Sequence, residues 1–154
     1  MIFPGVGEAS TAMNYLKMKG LDVLIPTLKQ PFLGICLGQQ LLCSFSEEGN
    51  TKCLGIFDLK VKQFPATDIV PHMGWNNITS TQPNPLLQGI EAQDFYFVHS
   101  YTAAISPHSI ASCTHGSTFT AAVAYRNFYG VQFHPERSGP QGQQLLANFL
   151  SIRA

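Results

Sequence analysis

The sequence predicts an α/β fold, an open mixed sheet with a parallel and an antiparallel part, flanked by helices. Three observations carry this. The apolar run Phe32-Leu33-Gly34-Ile35 is too short for a helix and does not alternate, so it reads as a strand buried on both faces, the habit of parallel sheets. It passes straight into residues 37–45, where Leu37, Leu41, Leu42 and Phe45 recur at helical spacing. From Asp58 onward, strand-like segments dominate until an amphipathic helix closes the chain.

Taken in order, Met1-Ile2-Phe3 reads as the end of a buried strand entering the loop Pro4-Gly5-Val6-Gly7. Residues 8–19 read as a helix with Ala9, Ala12, Met13 and Leu16 on one face, Lys17 and Lys19 in the last turn and Gly20 as its stop. Residues 21–29 continue helically but contain Pro26. A proline removes one helical hydrogen bond and clashes one turn back, so a kink or a new first turn is expected there. After the strand at 32–35 and the helix at 37–45, Leu59 and Val61 alternate with Lys60 and Lys62. Strands follow at 75–78 and 95–101, then a hairpin of 120–125 and 128–133 around Arg126-Asn127. Residues 142–152 form the closing helix, with Leu145, Leu146, Phe149 and Leu150 as its apolar face. No internal repeat or linker divides the chain, so residues 1–154 are expected to form a single domain.

Nine Lys plus Arg balance nine Asp plus Glu, and no basic block occurs, which speaks against nucleic acid or anionic lipid as a partner. No apolar run approaches the ~18 residues of a membrane span. Only 12% of residues are charged, about half the usual share, and Ser, Thr, Asn and Gln fill the gap. A surface so poor in charge points to a face covered by a partner. Cys36, Cys43, Cys53 and Cys113 form no C-x-x-C pair and no Cys/His metal spacing, and no secretory leader precedes them. The expectation is reduced thiols in a cytoplasmic protein, with no metal and no cofactor.

Three motifs can carry chemistry. Gly34-Ile35-Cys36-Leu37-Gly38 places a thiol at a strand-to-helix turn, the thiol version of a nucleophile elbow. The helix N-terminus there favours thiolate, and the Leu37 amide can face a developing oxyanion. From these five residues alone, a small buried cysteine after a tight turn reads equally well. His134-Pro135-Glu136 follows a strand, and residues two apart in extended chain project to one side, so the carboxylate can fix the imidazole tautomer. The bland reading is a solvated strand end. Pro4-Gly5-Val6-Gly7 lets backbone amides turn inward toward an anion, although as a bare loop it serves packing just as well. Nothing in periodicity brings Cys36 and His134 together. Cys43, Cys53 and Cys113 read as core, and His72, His99, His108 and His115 as structural or solvated residues. Trp75, the sole tryptophan, reads by itself as core packing.

In this order, P-G-V-G, G-I-C-L-G followed by Gln40-Leu41, and H-P-E resemble the class I (triad) glutamine amidotransferases. Pro71-His72-Met73-Gly74-Trp75-Asn76, Tyr96-Phe97-Val98-His99-Ser100-Tyr101 and the stretch from Gln132 to Gly139 narrow the resemblance. They are similar to the glutaminase subunits that serve a β/α-barrel cyclase in histidine biosynthesis, and they speak against anthranilate or guanylate synthase components. The resemblance implies flavodoxin-like layers and glutamine as substrate. It implies Cys36 as nucleophile, His134 as general acid and base, and Glu136 as orienting carboxylate. Gly5, Val6, Gly7 and Leu37 would receive the oxyanion, and Gln40, Ser100 and Tyr101 would hold glutamine. Val6, Trp75, Asn76, Tyr96 and Arg137 would meet the cyclase. Three features depart from the family pattern: Pro26 interrupts a usually regular helix, Arg137 replaces a more usual lysine, and two strands and a helix usually precede P-G-V-G. The first βα unit is therefore expected to be missing, leaving a defective scaffold, and an inactive fragment or non-catalytic binding protein is the competing reading.

Overall fold

The computed structural model describes residues 1–153. In chain order, β1 (Ile2–Gly5) leads into α1 (Ala9–Met18) and the short α2 (Leu21–Leu24), followed by β2 (Phe32–Cys36) and α3 (Leu37–Leu42). The strands β3 (Phe45–Ser46), β4 (Thr51–Lys52), β5 (Lys60–Gln63), β6 (His72–Asn77) and β7 (Thr79–Ser80) come next. They are succeeded by β8 (Asp94–His99), β9 (Tyr101–Ala103), β10 (Ser109–His115), β11 (Ser117–Tyr125), β12 (Phe128–Val131) and the closing helix α4 (Gly139–Ser151).

The central sheet has six strands in the order β1-β2-β12-β11-β10-β7. β1, β2 and β12 run parallel, and β12, β11, β10 and β7 pair antiparallel, which is the mixed sheet the sequence implies. A four-stranded sheet, β4-β3-β5-β9, and the two-stranded ribbon β6-β8 complete the architecture. Alternation along β2 sorts its side chains to the two faces. Phe32 joins the core formed with α1 and α3 through Met13, Leu16, Leu37 and Leu41. Leu33 and Ile35 join the core formed with α4 and the ribbon through Leu145, Phe149, Phe95 and Phe97.

Local chemistry explains the helix ends. Glu8 caps α1, its carboxylate accepting from the Thr11 amide at 3.0 Å and from Ser10 Oγ at 2.6 Å. Pro26 ends α2 and opens a 3-10 turn over Ile25–Thr27, the fresh first turn its ring favours. Several expectations need correction. β1 is an edge strand of the described residues, with Ile2 43% exposed, so it is not buried on both faces. α3 stops at Leu42 because Cys43 is extended, and Phe45 pairs in a strand instead of extending the helix. The strand expected over 95–101 breaks at Ser100 into β8 and β9, which belong to different sheets. Leu150 is 75% exposed, so the apolar face of α4 ends at Phe149. β10 has no counterpart among the expected strands.

The side of the ribbon facing β10 and β11 holds a chain of histidines. The Tyr101 carbonyl only accepts, so Nδ1 of His99 donates to it at 2.8 Å. His99 Nε2 must then accept from His72 Nδ1 at 3.0 Å, and His72 Nε2 from Asn76 Nδ2 at 3.2 Å. The His115 ring stacks on His72 at 4.1 Å between centroids, and its Nε2 lies 2.7 Å from the Ile69 carbonyl. Burial pushes His72 down to about 4 and His99 down to about 3, with neighbouring histidines adding to the shift. Both groups titrate near 6.5 in the unfolded chain, so between pH 6.5 and about 4 the unfolded state binds more protons. The stability these neutral rings supply is complete above pH 6.5 and falls as pH drops through that window. The urea midpoint is expected to decline from pH 6.5 to 4.5, and His72→Gln should flatten the decline. A midpoint constant over that range would contradict the assignment of neutral rings.

Candidate active site

β2 ends on Cys36 with φ 52° and ψ −112°, and α3 begins at the next residue. A non-glycine residue occupies positive φ only when its surroundings impose it. Here the crossing of β1, β2 and α3 imposes it. A Cβ on Gly34 would lie 2.7 Å from the carbonyl carbon and oxygen of Gly38, and a Cβ on Gly38 would collide with the carbonyl oxygen of Phe3. With both positions bare, the chain turns sharply where β2 ends and presents the thiol at the carboxyl end of the parallel strands. Ligands of open α/β sheets bind at that end.

The thiol lines a cavity of about 460 Å³. Of the residues singled out from sequence, Gly5, Val6, Gly7, Leu37, Gln40, Ser100, Tyr101, His134, Glu136 and Arg137 share its wall with Cys36. Trp75, Asn76 and Tyr96 stand outside it. Trp75 is 56% exposed and meets Tyr96 edge-on at 6.3 Å, and the Arg137 guanidinium lies 5.0 Å over the Tyr96 ring. Arg137 therefore joins the cavity mouth to the exposed aromatic pair. Asn76 turns inward, donating to the Thr114 carbonyl at 2.9 Å as well as to His72.

β12 ends at Val131, and the three residues 132–134 continue toward the cavity, with the His134 amide donating to the Tyr96 carbonyl at 2.9 Å. The 3-10 turn Pro135–Arg137 folds Glu136 back, so that His134 Nδ1 and Glu136 Oε1 lie 2.7 Å apart. The carboxylate accepts, which puts a proton on Nδ1, so that in the neutral imidazole the lone pair lies on Nε2. That Nε2 is buried and has no hydrogen-bond partner.

Burial pushes the Cys36 thiol up to about 11, and the charges of Glu136 and Glu48 add to the effect. The Leu37 backbone amide and the Gln132 side chain act in the opposite direction. Desolvation thus outweighs the helix terminus, and the thiolate expected from the elbow motif is not the resting form. The six-residue α3 offers only a short dipole against a nearly dry sulfur. In keeping with a protonated thiol, Sγ lies 3.9 Å from the Val98 carbonyl oxygen as donor. The site thus sets a protonated thiol and an imidazole whose Nε2 has no hydrogen-bond partner on one cavity wall.

Sequence reasoning did not single out Glu48, Pro71, Val98 and His99 as wall residues, nor Gln132 behind Cys36. Glu48 reaches the site by accepting from the Ala9 amide at 2.8 Å, at the N-terminus of α1. Gln132 had a usable signal, a polar residue inside the apolar run Val131-Gln132-Phe133.

The family model described as "Glutamine amidotransferase class-I" matches residues 1–152. The imidazole glycerol phosphate synthase subunit HisH of Bacteroides fragilis is 50% identical over 156 residues, covering 99% of this chain and 79% of the relative. HisH of Haemophilus influenzae is 49% identical over 152 residues, covering 97% and 76%. The crystal structure of a putative GMP synthase protein from Thermoplasma acidophilum is similar in fold, with a TM-score of 0.68 at 19% identity, covering 97% of this chain and 69% of that one.

The crossing at Gly38 yields a stability prediction. Gly38→Ala is expected to cost about 1–3 kcal/mol, as overpacking against fixed backbone does. Leu150→Ala, on an exposed side chain, should stay within about 0.5 kcal/mol of the parent. Urea denaturation of the two variants checks this, and equal stabilities would remove the steric account of the turn.

Proposed function

This chain belongs to the class I glutamine amidotransferases, and from that premise we propose that it is the glutaminase subunit of an imidazole glycerol phosphate synthase, hydrolysing glutamine through Cys36, His134 and Glu136. The observation that carries the reading is the bond of 2.7 Å between His134 and Glu136, which leaves a buried, unpartnered Nε2 in the cavity of Cys36.

The chemistry follows from the protonation states. With glutamine bound, His134 Nε2 takes the proton of the Cys36 thiol. The sulfur electron pair attacks the side-chain amide carbon, forming a C–S bond and an oxyanion that amides of Leu37 and the Gly5-Val6-Gly7 loop receive. Glu136 stabilises the imidazolium for as long as it exists. Collapse of the oxyanion breaks the C–N bond, and the imidazolium gives its proton to the departing ammonia. Water, deprotonated by the same Nε2, then cleaves the glutamyl thioester to glutamate and the free thiol. Gln40, Ser100 and Tyr101 hold the amino-acid end of the substrate.

Ammonia is useful only if it is captured, and the relatives are named as subunits of a synthase. The cavity mouth carries Val6, 87% exposed, and continues through Arg137 to Tyr96 and Trp75. A cyclase partner seated there would cover an apolar patch and take ammonia directly. No described helix is long and apolar enough to cross a membrane, and all four cysteines are free, in keeping with work in the cytoplasm.

Glutamate release is expected to be low for the chain alone and to rise when the cyclase and its ligand are added. Cys36→Ala should abolish it, while Cys43→Ser, Cys53→Ser and Cys113→Ser should retain it wherever they fold. The glutamine mimic 6-diazo-5-oxo-L-norleucine should label Cys36 alone by peptide mass mapping. Labelling of another cysteine, or full turnover by Cys36→Ala, would overturn the assignment.

A further inference from the structure

Behind the nucleophile lies a buried carboxamide that the triad chemistry does not use. Gln132, 0% exposed, follows β12 directly and sits between Cys36 and Gln40. Its Nε2 is 3.7 Å from Cys36 Sγ, and its Oε1 is 3.0 Å from Gln40 Nε2. We propose that Gln132 is a further catalytic residue of the glutaminase reaction, its side-chain N–H donating to the sulfur of Cys36 and stabilising the thiolate that attacks glutamine. This rests on the reading of Cys36 as the nucleophile.

The orientation of the carboxamide follows from its partners. Gln40 Nε2 lies 3.0 Å from the carbonyl oxygen of Tyr101, a group that only accepts, so Gln40 must present its NH₂ there. The same NH₂ meets Gln132, which must therefore offer its oxygen. The NH₂ of Gln132 is left facing sulfur, and reversing it would bring two donors together at Gln40. The alternative assignment costs the buried hydrogen bond to Gln40. Two side chains from different elements, locked by one backbone carbonyl of the cavity wall, thus aim a single donor at the reacting atom.

Such a donor matters here because desolvation is what keeps the thiol protonated. A hydrogen bond to a buried anion is about twice as strong as one to a neutral group. On proton transfer to His134 the sulfur becomes an anion in a largely dry setting, while the N–H of Gln132 is already in place and needs no reorganisation. The interaction is stronger with thiolate than with thiol, so it assists the step that forms the nucleophile and acts on turnover. The other ionisable groups on this side of the fold are His134, Glu136 and Arg137 after β12, His99 on β8, Tyr101 on β9 and Glu48 before β4. Arg137 is a permanent cation whose guanidinium lies 5.0 Å over the Tyr96 ring, and His134 adds positive charge only after the proton has moved.

The test is the pH dependence of Cys36 alkylation by iodoacetamide, read by peptide mass spectrometry on the full chain, for the parent, Gln132→Met and Gln132→Glu. Met keeps the length and removes the donor. Glu keeps the acceptor for Gln40 and places oxygen against sulfur. Both midpoints should move up by about one pH unit or more, with kcat for glutamine about tenfold lower, equivalent to about 1.4 kcal/mol. The larger shift is expected for Gln132→Glu, which also provides the reading if Gln132→Met does not fold. A purely structural Gln132 would change the thermal midpoint or KM and leave the alkylation midpoint where it is. That result in a folded variant would overturn the proposal. Labelling of the parent by 6-diazo-5-oxo-L-norleucine separates the two levels: a parent labelled at Cys36 with unshifted variants removes Gln132 alone, whereas a parent not labelled there removes the glutaminase reading itself.

Discussion

A single steric crossing governs the rest of this molecule. Gly34 in β2 lies so close to Gly38 in α3 that it tolerates no Cβ, and Gly38 tolerates none because it faces the carbonyl of Phe3 in β1. Three elements can pack at this separation only because the residue between them adopts positive φ, and that residue is Cys36. The strain of one backbone conformation is carried by a fully buried strand and by a helix whose six residues are all buried. The rigid crossing fixes the sulfur relative to the strand ends and hence to everything that meets it there.

The same burial sets a problem that the surrounding groups have to solve. A sulfur held this tightly is a poor acid, pushed up to about 11, and two carboxylates nearby make it poorer. What works in its favour is neutral: the Leu37 amide and the Gln132 carboxamide. The guanidinium of Arg137 on the same cavity wall is engaged over the Tyr96 ring, and burial leaves the thiol unprimed at rest. On the proposed mechanism, the nucleophile forms only when the proton has a destination and the substrate supplies the carbon to be attacked. On that reading a glutaminase gains from the arrangement, because attack depends on assembling the site.

The β6-β8 ribbon ties the cavity to the exterior. Its alternation sends Phe95, Phe97, His72 and His99 into the core, while Met73 and Trp75 point outward, 62% and 56% exposed. Val98 of the same ribbon faces Cys36 through its carbonyl, and His99 is bonded to the Tyr101 carbonyl that also holds Gln40. A surface bound over Trp75 and Tyr96 therefore rests on the strand pair that positions Val98, next to a cavity mouth shared with Val6 and Arg137.

The sequence by itself determined the local features: the buried strand at Phe32, the elbow around Cys36, the turn at Pro26, the hairpin at Arg126-Asn127 and the carboxylate two residues after His134. Each depends on neighbours within a few positions, where periodicity and side-chain chemistry are decisive. It also pointed to most of the cavity wall, through motifs whose order along the chain resembles a known family. Only the tertiary structure decided what depends on distant partners. Phe45 leaves the helix because Lys52 and Lys60 offer it strand pairing, and Ser100 breaks a strand whose two halves serve different sheets. The protonation of Cys36 is equally non-local, since desolvation is a property of everything packed around an atom and has no signature in the five residues of the elbow. Gln132 and Gln40 lie 92 positions apart in sequence, so the bond that aims a donor at the sulfur exists only once the sheet has brought β12 beside β2.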